Sequence, residues 1–163
     1  MKKSAIILFC LLVSTTSLLA NLKHEFRATW FTTHYGIDWP KTKATSDSKR
    51  EQQKQEMTAI FDKMKAGNMN VVCMQVRALC DATYKSSYEN WSSVLTGTRG
   101  KDPGYDPLAF AIEEAHKRGL ELHVWVNPFR VTSSDTIDTT DKVWQNAGQR
   151  TITHDNGLFD RQI

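Results

Sequence analysis

Polar side chains occupy alternate positions on two otherwise apolar strands. The run NVVCMQVRALCDATY contains Gln75 and Arg77, and the run LELHVWVNPFRV contains His123, Trp125 and Asn127. A strand buried in a parallel sheet is nearly continuous Val, Ile and Leu, so these polar residues need a separate reason. Guanidinium, imidazole and amide groups beside an indole ring can bind and orient a polar ligand. We therefore expect a ligand site where the two strands end.

Alternation divides each of these strands into two faces, because successive side chains point to opposite sides of a sheet. The polar faces hold Cys73, Gln75 and Arg77 on one strand, and His123, Trp125 and Asn127 on the other. The apolar faces hold Val72, Met74 and Val76 on one strand, and Leu122, Val124 and Val126 on the other. We expect the polar faces to point into a barrel and the apolar faces to point toward the helices.

Each polar residue also has a structural interpretation. Arg77 can hold a carboxylate or sugar hydroxyls with its planar fork, or it can form an ion pair with Asp81 or Asp106. His123 can donate a proton to a substrate, or it can be a hydrogen-bonded core residue. Asn127 can offer a donor and an acceptor to a ligand, or it can simply form the turn before a proline.

Glycoside cleavage usually needs two carboxylates about 5 to 10 Å apart. Of the candidate carboxylates, Asp106 is accounted for as a helix cap, Asp102 lies in a turn rich in Pro and Gly, and Glu89 is expected to be solvated. Asp38 and Asp81 follow the first and second predicted strands and are retained as candidates. The sequence identifies no partner for either of them, so the catalytic residues stay unassigned.

Cysteine and histidine usage gives no sign of a metal or cofactor site. Cys73 and Cys80 are predicted to be thiols, because one lies in an extended strand and the other only seven residues later. The His residues are scattered and show no metal-ligand spacing, which argues against a metal-dependent hydrolase. We expect no metal and no cofactor.

The first twenty residues have the features of a secretory signal peptide. Lys2 and Lys3 precede the apolar run AIILFCLLV, and small and polar residues lead to Ala20. The apolar run is too short for a membrane span. We expect cleavage after Ala20, export to the periplasm or cell envelope, and no span in the mature chain. The formal charge of +3 is small, which argues against nucleic acid as a partner.

The order of predicted elements is that of an α/β fold. A first strand is predicted over residues 25–33, followed by a helix that begins at a Ser48 and Glu51 capping box and ends before Gly67. Its predicted buried face is Met57, Ile60, Phe61 and Met64. A second strand follows over residues 71–78.

The next helix has the clearest boundaries in the chain. Asp106 is its predicted N-cap, Pro107 its first residue and Gly119 its terminator. Its predicted apolar face is Leu108, Ala111, Ile112 and Ala115. A third strand follows over residues 120–126, and a further short helix is predicted over residues 141–147 with Thr140 as its cap.

Long connections follow the strands, and short ones follow the helices. The strand-to-helix loops run over residues 33–47 and 79–105, whereas a few residues return the chain from each helix to the next strand. Repeated units of this kind predict parallel strands with right-handed crossovers. Such folds place their sites at the carboxyl ends of the strands, where the long loops lie.

Four segments of the chain resemble the bacterial glycosyl hydrolase-like 10 domain over residues 25–163. They are FRATWFTT with IDWP, MNVVCMQVRALCDATYKSSYENWSSVLTG, PGYDPLAFAIEEAHKRGLELHVWVNPFRV and GLFDRQI. The resemblance implies a (β/α)₈ barrel in an envelope protein similar to enzymes that cut peptidoglycan glycan strands. It also implies that Gln75, Arg77, His123, Asn127 and Arg130 line the sugar cleft. Asp81 and Trp125 complete the set of residues that we expect to bind substrate.

The resemblance is incomplete in one respect. The family's acidic strand end, of the type D-G-x-x-x-D-D-Y, would come after Ile163. A complete barrel takes on the order of 250 residues. We therefore expect residues 21–163 to be the amino-terminal portion of a TIM-type barrel, truncated at its carboxyl end, with about three parallel strands, two to three helices and no activity alone. The alternative is a stand-alone, non-catalytic module that binds carbohydrate or another envelope component.

Overall fold

The computed structural model describes residues 25–131, Lys142 and Gln145, and the backbone of residues 151–154 and 157–160. The strands and helices in chain order are β1 Ala28–Phe31, α1 Asp47–Ala66, β2 Val71–Arg77, β3 Asp81–Ala82, β4 Asn90–Trp91, α2 Ser93–Thr96, α3 Pro107–Lys117, β5 Glu121–Val126, β6 Thr151–His154 and β7 Gly157–Asp160. A one-turn 3-10 helix, His34–Gly36, follows β1.

A parallel sheet of three strands organises the described chain. Its order is β1, β2, β5, and both pairings are parallel. Trp30, Cys73 and His123 lie side by side in one row across the sheet. The predicted α/β class with three parallel strands is confirmed, and the arrangement is consistent with part of a TIM-type barrel. The first strand is shorter than the predicted span of residues 25–33.

The core lies between one face of this sheet and helices α1 and α3. Val72, Met74 and Val76, the predicted apolar face of β2, are all buried in it. On α1, Met57 and Phe61 are fully buried, and the other two predicted members of its apolar face, Ile60 and Met64, pack against the same cluster. The other face of β2 is therefore the one that carries Cys73, Gln75 and Arg77.

The N-cap of helix α1 lies two residues before the predicted one. Ser46 is the N-cap, and its side chain accepts a hydrogen bond from the Lys49 amide at 3.3 Å. The predicted capping box was wrong, because Ser48 lies inside the first turn. Asp47 also occupies that turn, where a carboxylate interacts favourably with the helix dipole.

Helix α3 has the predicted start. Asp106 is the N-cap, with Oδ1 accepting from the Ala109 amide at 3.0 Å, and Pro107 is the first helical residue. Of the predicted apolar face, Ile112 is 38% exposed, so that part of the prediction was wrong. The members that do contribute to the core are Leu108, Ala111 and Ala115. Gly119 follows the helix with a φ of 64°, which glycine adopts without steric cost.

The long segment between β2 and α3 has structure of its own. Strands β3 and β4 pair in parallel, and the short helix α2 follows them directly. Further along, Lys142 and Gln145 are helical, whereas the rest of the helix predicted over residues 141–147 lies outside the described residues. Strands β6 and β7 form an antiparallel hairpin that was not predicted. The predicted signal peptide also lies outside the described residues.

Candidate functional site

The carboxyl ends of β2 and β5 bring four of the predicted site residues together. Gln75 pairs with Trp125 across the sheet, Arg77 pairs with Val126, and the Asn127 amide donates to the Arg77 carbonyl at 2.9 Å. We call Gln75, Arg77, Trp125 and Asn127 the strand-end corner. It forms because parallel strands finish at the same edge of a sheet.

Arg77 links three segments of the strand-end corner. Its guanidinium forms an ion pair with Glu89, donates to the carbonyl oxygen of Asn127, and contacts Cys80 Sγ at 2.8 Å. Burial acts to lower the pKa of Arg77, but Cys80 and Glu89 act against it strongly enough that the pKa lies above its usual value. Asp81 or Asp106 was the partner suggested in the structural interpretation of Arg77, but the carboxylate that pairs with Arg77 is Glu89.

Glu89 is the residue of this site that the sequence failed to indicate. It was expected to be solvated, yet its side chain is only 12% exposed. Its Oε2 atom is buried and has no hydrogen-bond partner among the described residues. Nearby, burial first, and then the charge of Glu89 and a side-chain hydrogen bond with its carboxylate, raise the pKa of Tyr84, while Arg77 opposes them. The only sequence signal was the presence of a carboxylate in the long loop after a strand that ends in arginine.

Trp125 is held in place by Asn127. The indole Nε1 donates to Asn127 Oδ1 at 2.9 Å, and Asn127 Nδ2 donates to the carbonyl of Ala78 at 3.2 Å. Trp30 lies one row below and meets the Trp125 ring edge-on, with ring centroids 5.4 Å apart. Trp30 is itself 67% exposed. The two rings form one aromatic surface, in which Trp125 is held by its hydrogen bond to Asn127.

Gln75 lies beneath the corner and organises the turn after β1. The residue is 1% exposed. Its Oε1 accepts from the Thr32 hydroxyl at 2.7 Å, from the Thr33 amide at 3.1 Å and from the His34 amide at 3.0 Å. A buried side chain with this many internal partners positions other groups, and direct contact with a ligand stays a prediction.

The turn that Gln75 holds carries two rings that the sequence analysis did not assign to the site. His34 and Tyr35 have ring centroids 4.1 Å apart, and Tyr35 is 70% exposed. Burial first and the charge of Arg130 second lower the pKa of His34, while Asp81 acts in the opposite direction. The sequence signal was the position of these rings directly after the first strand.

The remaining predicted residues lie at different distances from the corner. His123 is one row down the sheet, near Glu121 at 3.4 Å and the Phe26 ring at 5.8 Å between centroids, so the structure does not bring it to the strand ends. The charge of Arg130 acts on the pKa of His34. The Nε atom of Arg130 is buried and, within the described part of the chain, has no hydrogen-bond partner.

The two carboxylates retained from the sequence already have internal contacts. Asp81 is buried, accepts from the Leu79 amide at 2.9 Å and lies 3.8 Å from Arg99. Asp38 accepts from the Thr32 amide at 2.8 Å. Their contact with a substrate is untested by this geometry.

Within the part of the chain that the structure describes, no cluster of three His, Cys, Asp or Glu side chains is arranged to hold a metal ion. No helix there combines the length and apolar character needed to cross a membrane.

A parallel sheet with helices on one face, and with polar and aromatic groups gathered at the carboxyl ends of its strands, is the arrangement found in part of a (β/α) barrel. Comparison with known families agrees with this class. The chain belongs to the Glycosyl hydrolase-like 10 family, whose sequence profile matches residues 25–158.

Relatives of the chain bear glycosyl hydrolase names. It is 46% identical over 126 residues to "Glycosyl hydrolase YngK" of Bacillus subtilis, covering 76% of this chain and 24% of that protein. It is 37% identical over 110 residues to "Glycosyl hydrolase DigH" of Escherichia coli K12, covering 65% of this chain and 25% of that protein. The match to "Glycosyl hydrolase DigH" of Shigella flexneri has the same extent. The chain thus spans about a quarter of the length of the curated relatives it matches.

Proposed function

We propose that the strand-end corner is part of the glycan cleft of a glycosyl hydrolase-like envelope protein, and that its substrate is the glycan strand of peptidoglycan. The observation that carries this proposal is the fixed indole of Trp125 at the carboxyl end of β5. An aromatic ring held by hydrogen bonds presents a large apolar face at little cost in conformational entropy, and such a face suits the apolar face of a sugar ring.

The polar groups around Trp125 support the same proposal in a different way. Arg77 and Asn127 form hydrogen bonds with each other and with neighbouring segments. Their proposed role is therefore to fix the position of the residues that line the cleft. Among the described residues, Glu89 Oε2 and Arg130 Nε are buried atoms without a geometrically formed hydrogen bond, and a bound hydroxyl or an ordered water would satisfy them.

The contacts of three carboxylates near the strand ends support glycan binding and not glycan hydrolysis as the role of this region. Glu89 is paired with Arg77, Asp81 lies against Arg99, and Asp38 caps a backbone amide. Hydrolysis requires one carboxyl group able to give a proton and a second that is available as nucleophile or base. We propose that this region binds and orients the glycan, and that the acids for cleavage lie outside the described residues.

Export is also part of the proposal. The residue pattern of the first twenty positions supports secretion to the periplasm or cell envelope, the compartment in which peptidoglycan glycan strands are found. Antibody detection of the chain in periplasmic and cytoplasmic fractions tests this step. A product that keeps its first twenty residues and stays in the cytoplasm would contradict it.

Glycan binding can be tested with soluble peptidoglycan glycan chains from which the peptides have been removed. Titration of the purified chain should change its tryptophan fluorescence and saturate. Trp125→Ala should abolish most of the fluorescence change and weaken the affinity. Trp125→Phe should retain part of the affinity because a ring remains. Phe26→Ala removes an exposed ring near the amino end of β1 and is the matched control. Isothermal titration calorimetry gives the affinities independently of fluorescence.

Three outcomes bear on the proposal. A chain that binds no glycan at millimolar concentration would overturn it. Equal affinity for cello-oligosaccharides would overturn the assignment to peptidoglycan glycan strands while keeping a carbohydrate cleft. Release of reducing ends by the chain alone would show that the cutting acids lie within it.

A further inference from the structure

The turn after β1 holds an exposed aromatic residue in an unfavourable backbone conformation. Tyr35 has a φ of 53°, in the left-handed region that non-glycine residues rarely adopt, and Gly36 follows with a φ of 66°. A bulky residue in this region costs free energy, and such conformations persist where the surrounding structure enforces them. The φ of Tyr35 would suit a glycine equally well.

Contacts on both sides enforce this turn. On the side of the sheet, Gln75 Oε1 accepts from the Thr33 and His34 amides. Within the turn, the Gly36 amide donates to the Thr33 carbonyl at 2.9 Å. On the solvent side, Lys41 Nζ donates to the Gly36 carbonyl at 3.0 Å. The Tyr35 ring is therefore presented from a backbone that has little freedom to move.

The surroundings of the ring give it a polar neighbour. The His34 ring lies in contact with Tyr35, with centroids 4.1 Å apart and planes inclined by 45°. The lowered pKa of His34 keeps its imidazole neutral at pH 7, so one ring nitrogen can donate and the other can accept a hydrogen bond.

We propose that Tyr35 and His34 form a sugar-binding subsite beside the strand-end corner, in which the Tyr35 ring stacks on a pyranose ring and His34 bonds its hydroxyls. This inference rests on the proposed glycan cleft and extends it to the loop after β1. The strained backbone is then explained by function, since it holds the ring in the binding orientation before the glycan arrives.

The test uses three substitutions at Tyr35 and measures affinity for the same peptide-free glycan chains by calorimetry. Tyr35→Gly removes the ring and suits the backbone, so we expect an unchanged or higher Tm together with about a tenfold weaker Kd. Tyr35→Phe keeps the ring and should bind within about twofold of the unchanged chain. Tyr35→Ala should weaken binding as Gly does, but its Tm should lie below that of Tyr35→Gly, because Ala keeps the left-handed strain that Gly relieves.

The controls separate this inference from the proposed function. Phe26→Ala should leave the affinity unchanged, because that ring lies at the other end of β1. If the unchanged chain binds glycan and Tyr35→Gly binds equally well, the subsite is wrong and the cleft stands. If Tyr35→Phe weakens binding as much as Tyr35→Gly, stacking is wrong. If the unchanged chain binds no glycan, the proposed function itself fails.

Discussion

Arg77 of β2 donates a hydrogen bond to the backbone carbonyl of Asn127 beyond the end of β5, and its other nitrogens contact Glu89 and Cys80. This single guanidinium joins two strands and the loop between β2 and α3. The shape of the strand-end corner therefore depends on a charged residue that is only 15% exposed.

Removing one partner of the Arg77 and Glu89 ion pair should be strongly destabilising. Arg77→Met leaves the Glu89 carboxylate almost buried without a counter-charge, and we expect a loss of about 3 to 5 kcal/mol in the free energy of unfolding. Glu89→Met should cost a similar amount by stranding the guanidinium. Urea denaturation followed by circular dichroism measures both losses.

The double variant is the control for that prediction. The double variant, Arg77→Met with Glu89→Met, removes both charges together. Its loss in the free energy of unfolding should be smaller than the sum of the two single losses, because the cost of desolvating the charges also disappears. Arg77→Lys keeps the charge but lacks the planar fork, and it should fall between the unchanged chain and Arg77→Met. Strict additivity of the single variants would show that the two side chains do not interact energetically.

Gln75 should be more important for the turn after β1 than for the sheet. Gln75→Leu keeps the approximate size but removes the acceptor used by the amides of Thr33 and His34. Each buried donor left without a partner costs about 1 to 3 kcal/mol, so we expect a loss of at least about 2 kcal/mol. Amide hydrogen exchange should show faster exchange at Thr33 and His34 and little change in the centre of β2. Uniform acceleration over the whole sheet would contradict the local role.

Local signals in the sequence predicted the parts of the fold that depend on neighbouring residues. The cap and first proline of α3 could be read directly, because Asp106 and Pro107 each act within one turn. The two faces of β2 could also be read from alternation. The start of α1 was misread because Ser46 and Ser48 both precede the helical pattern, and only the observed backbone distinguishes them.

The parts that were missed depend on residues far apart in the chain. Glu89 lies in the segment between β2 and α3, which contains the short strands β3 and β4. No local sequence pattern indicates that this segment folds back to place Glu89 beside Arg77. Trp39 lies in the polar loop after β1, yet it is fully buried, and its Nε1 donates to the Gln53 carbonyl at 2.9 Å. Alternation was therefore enough to place polar groups at the strand ends, whereas their internal partners required the three-dimensional structure.

Gln53 of α1 should be essential for holding the long loops in place. It is fully buried, and its Nε2 donates to the carbonyls of Thr42 at 2.7 Å and Leu95 at 3.0 Å, while Oε1 accepts from the Tyr105 hydroxyl at 2.7 Å. Gln53→Leu strands three polar groups, and at about 1 kcal/mol or more for each we expect a loss of about 3 kcal/mol. Thermal and urea unfolding measure this loss.

The neighbouring residue gives a matched control for Gln53. Gln52→Leu makes the same chemical change at an exposed position of the same helix, and it should alter stability by no more than about 0.5 kcal/mol. Tyr105→Phe removes one of the three partners and should cost less than Gln53→Leu. Equal effects of Gln52→Leu and Gln53→Leu would show that the buried hydrogen bonds contribute nothing specific.

His34 should make the stability of the chain depend on pH. In the folded chain burial and Arg130 lower the pKa of His34 below its usual 6.5, while Asp81 opposes them. Below pH 6.5 the unfolded chain therefore binds a proton at this residue more readily than the folded chain does. The contribution of His34 to stability is complete above that pH and declines as the pH falls toward the folded pKa.

This dependence can be isolated by comparing Tm values at about pH 7.5 and about pH 5.5, on either side of the usual histidine range. The decrease in Tm should be smaller in His34→Gln, which keeps the backbone amide that binds Gln75 but has no group to titrate. Arg130→Gln removes the second cause of the shift and should reduce the decrease by a lesser amount. The imidazole proton resonance of His34 should titrate below pH 6.5 in the unchanged chain and move closer to that value in Arg130→Gln. An identical pH dependence in the unchanged chain and His34→Gln would show that this imidazole is not held in its neutral form by the fold.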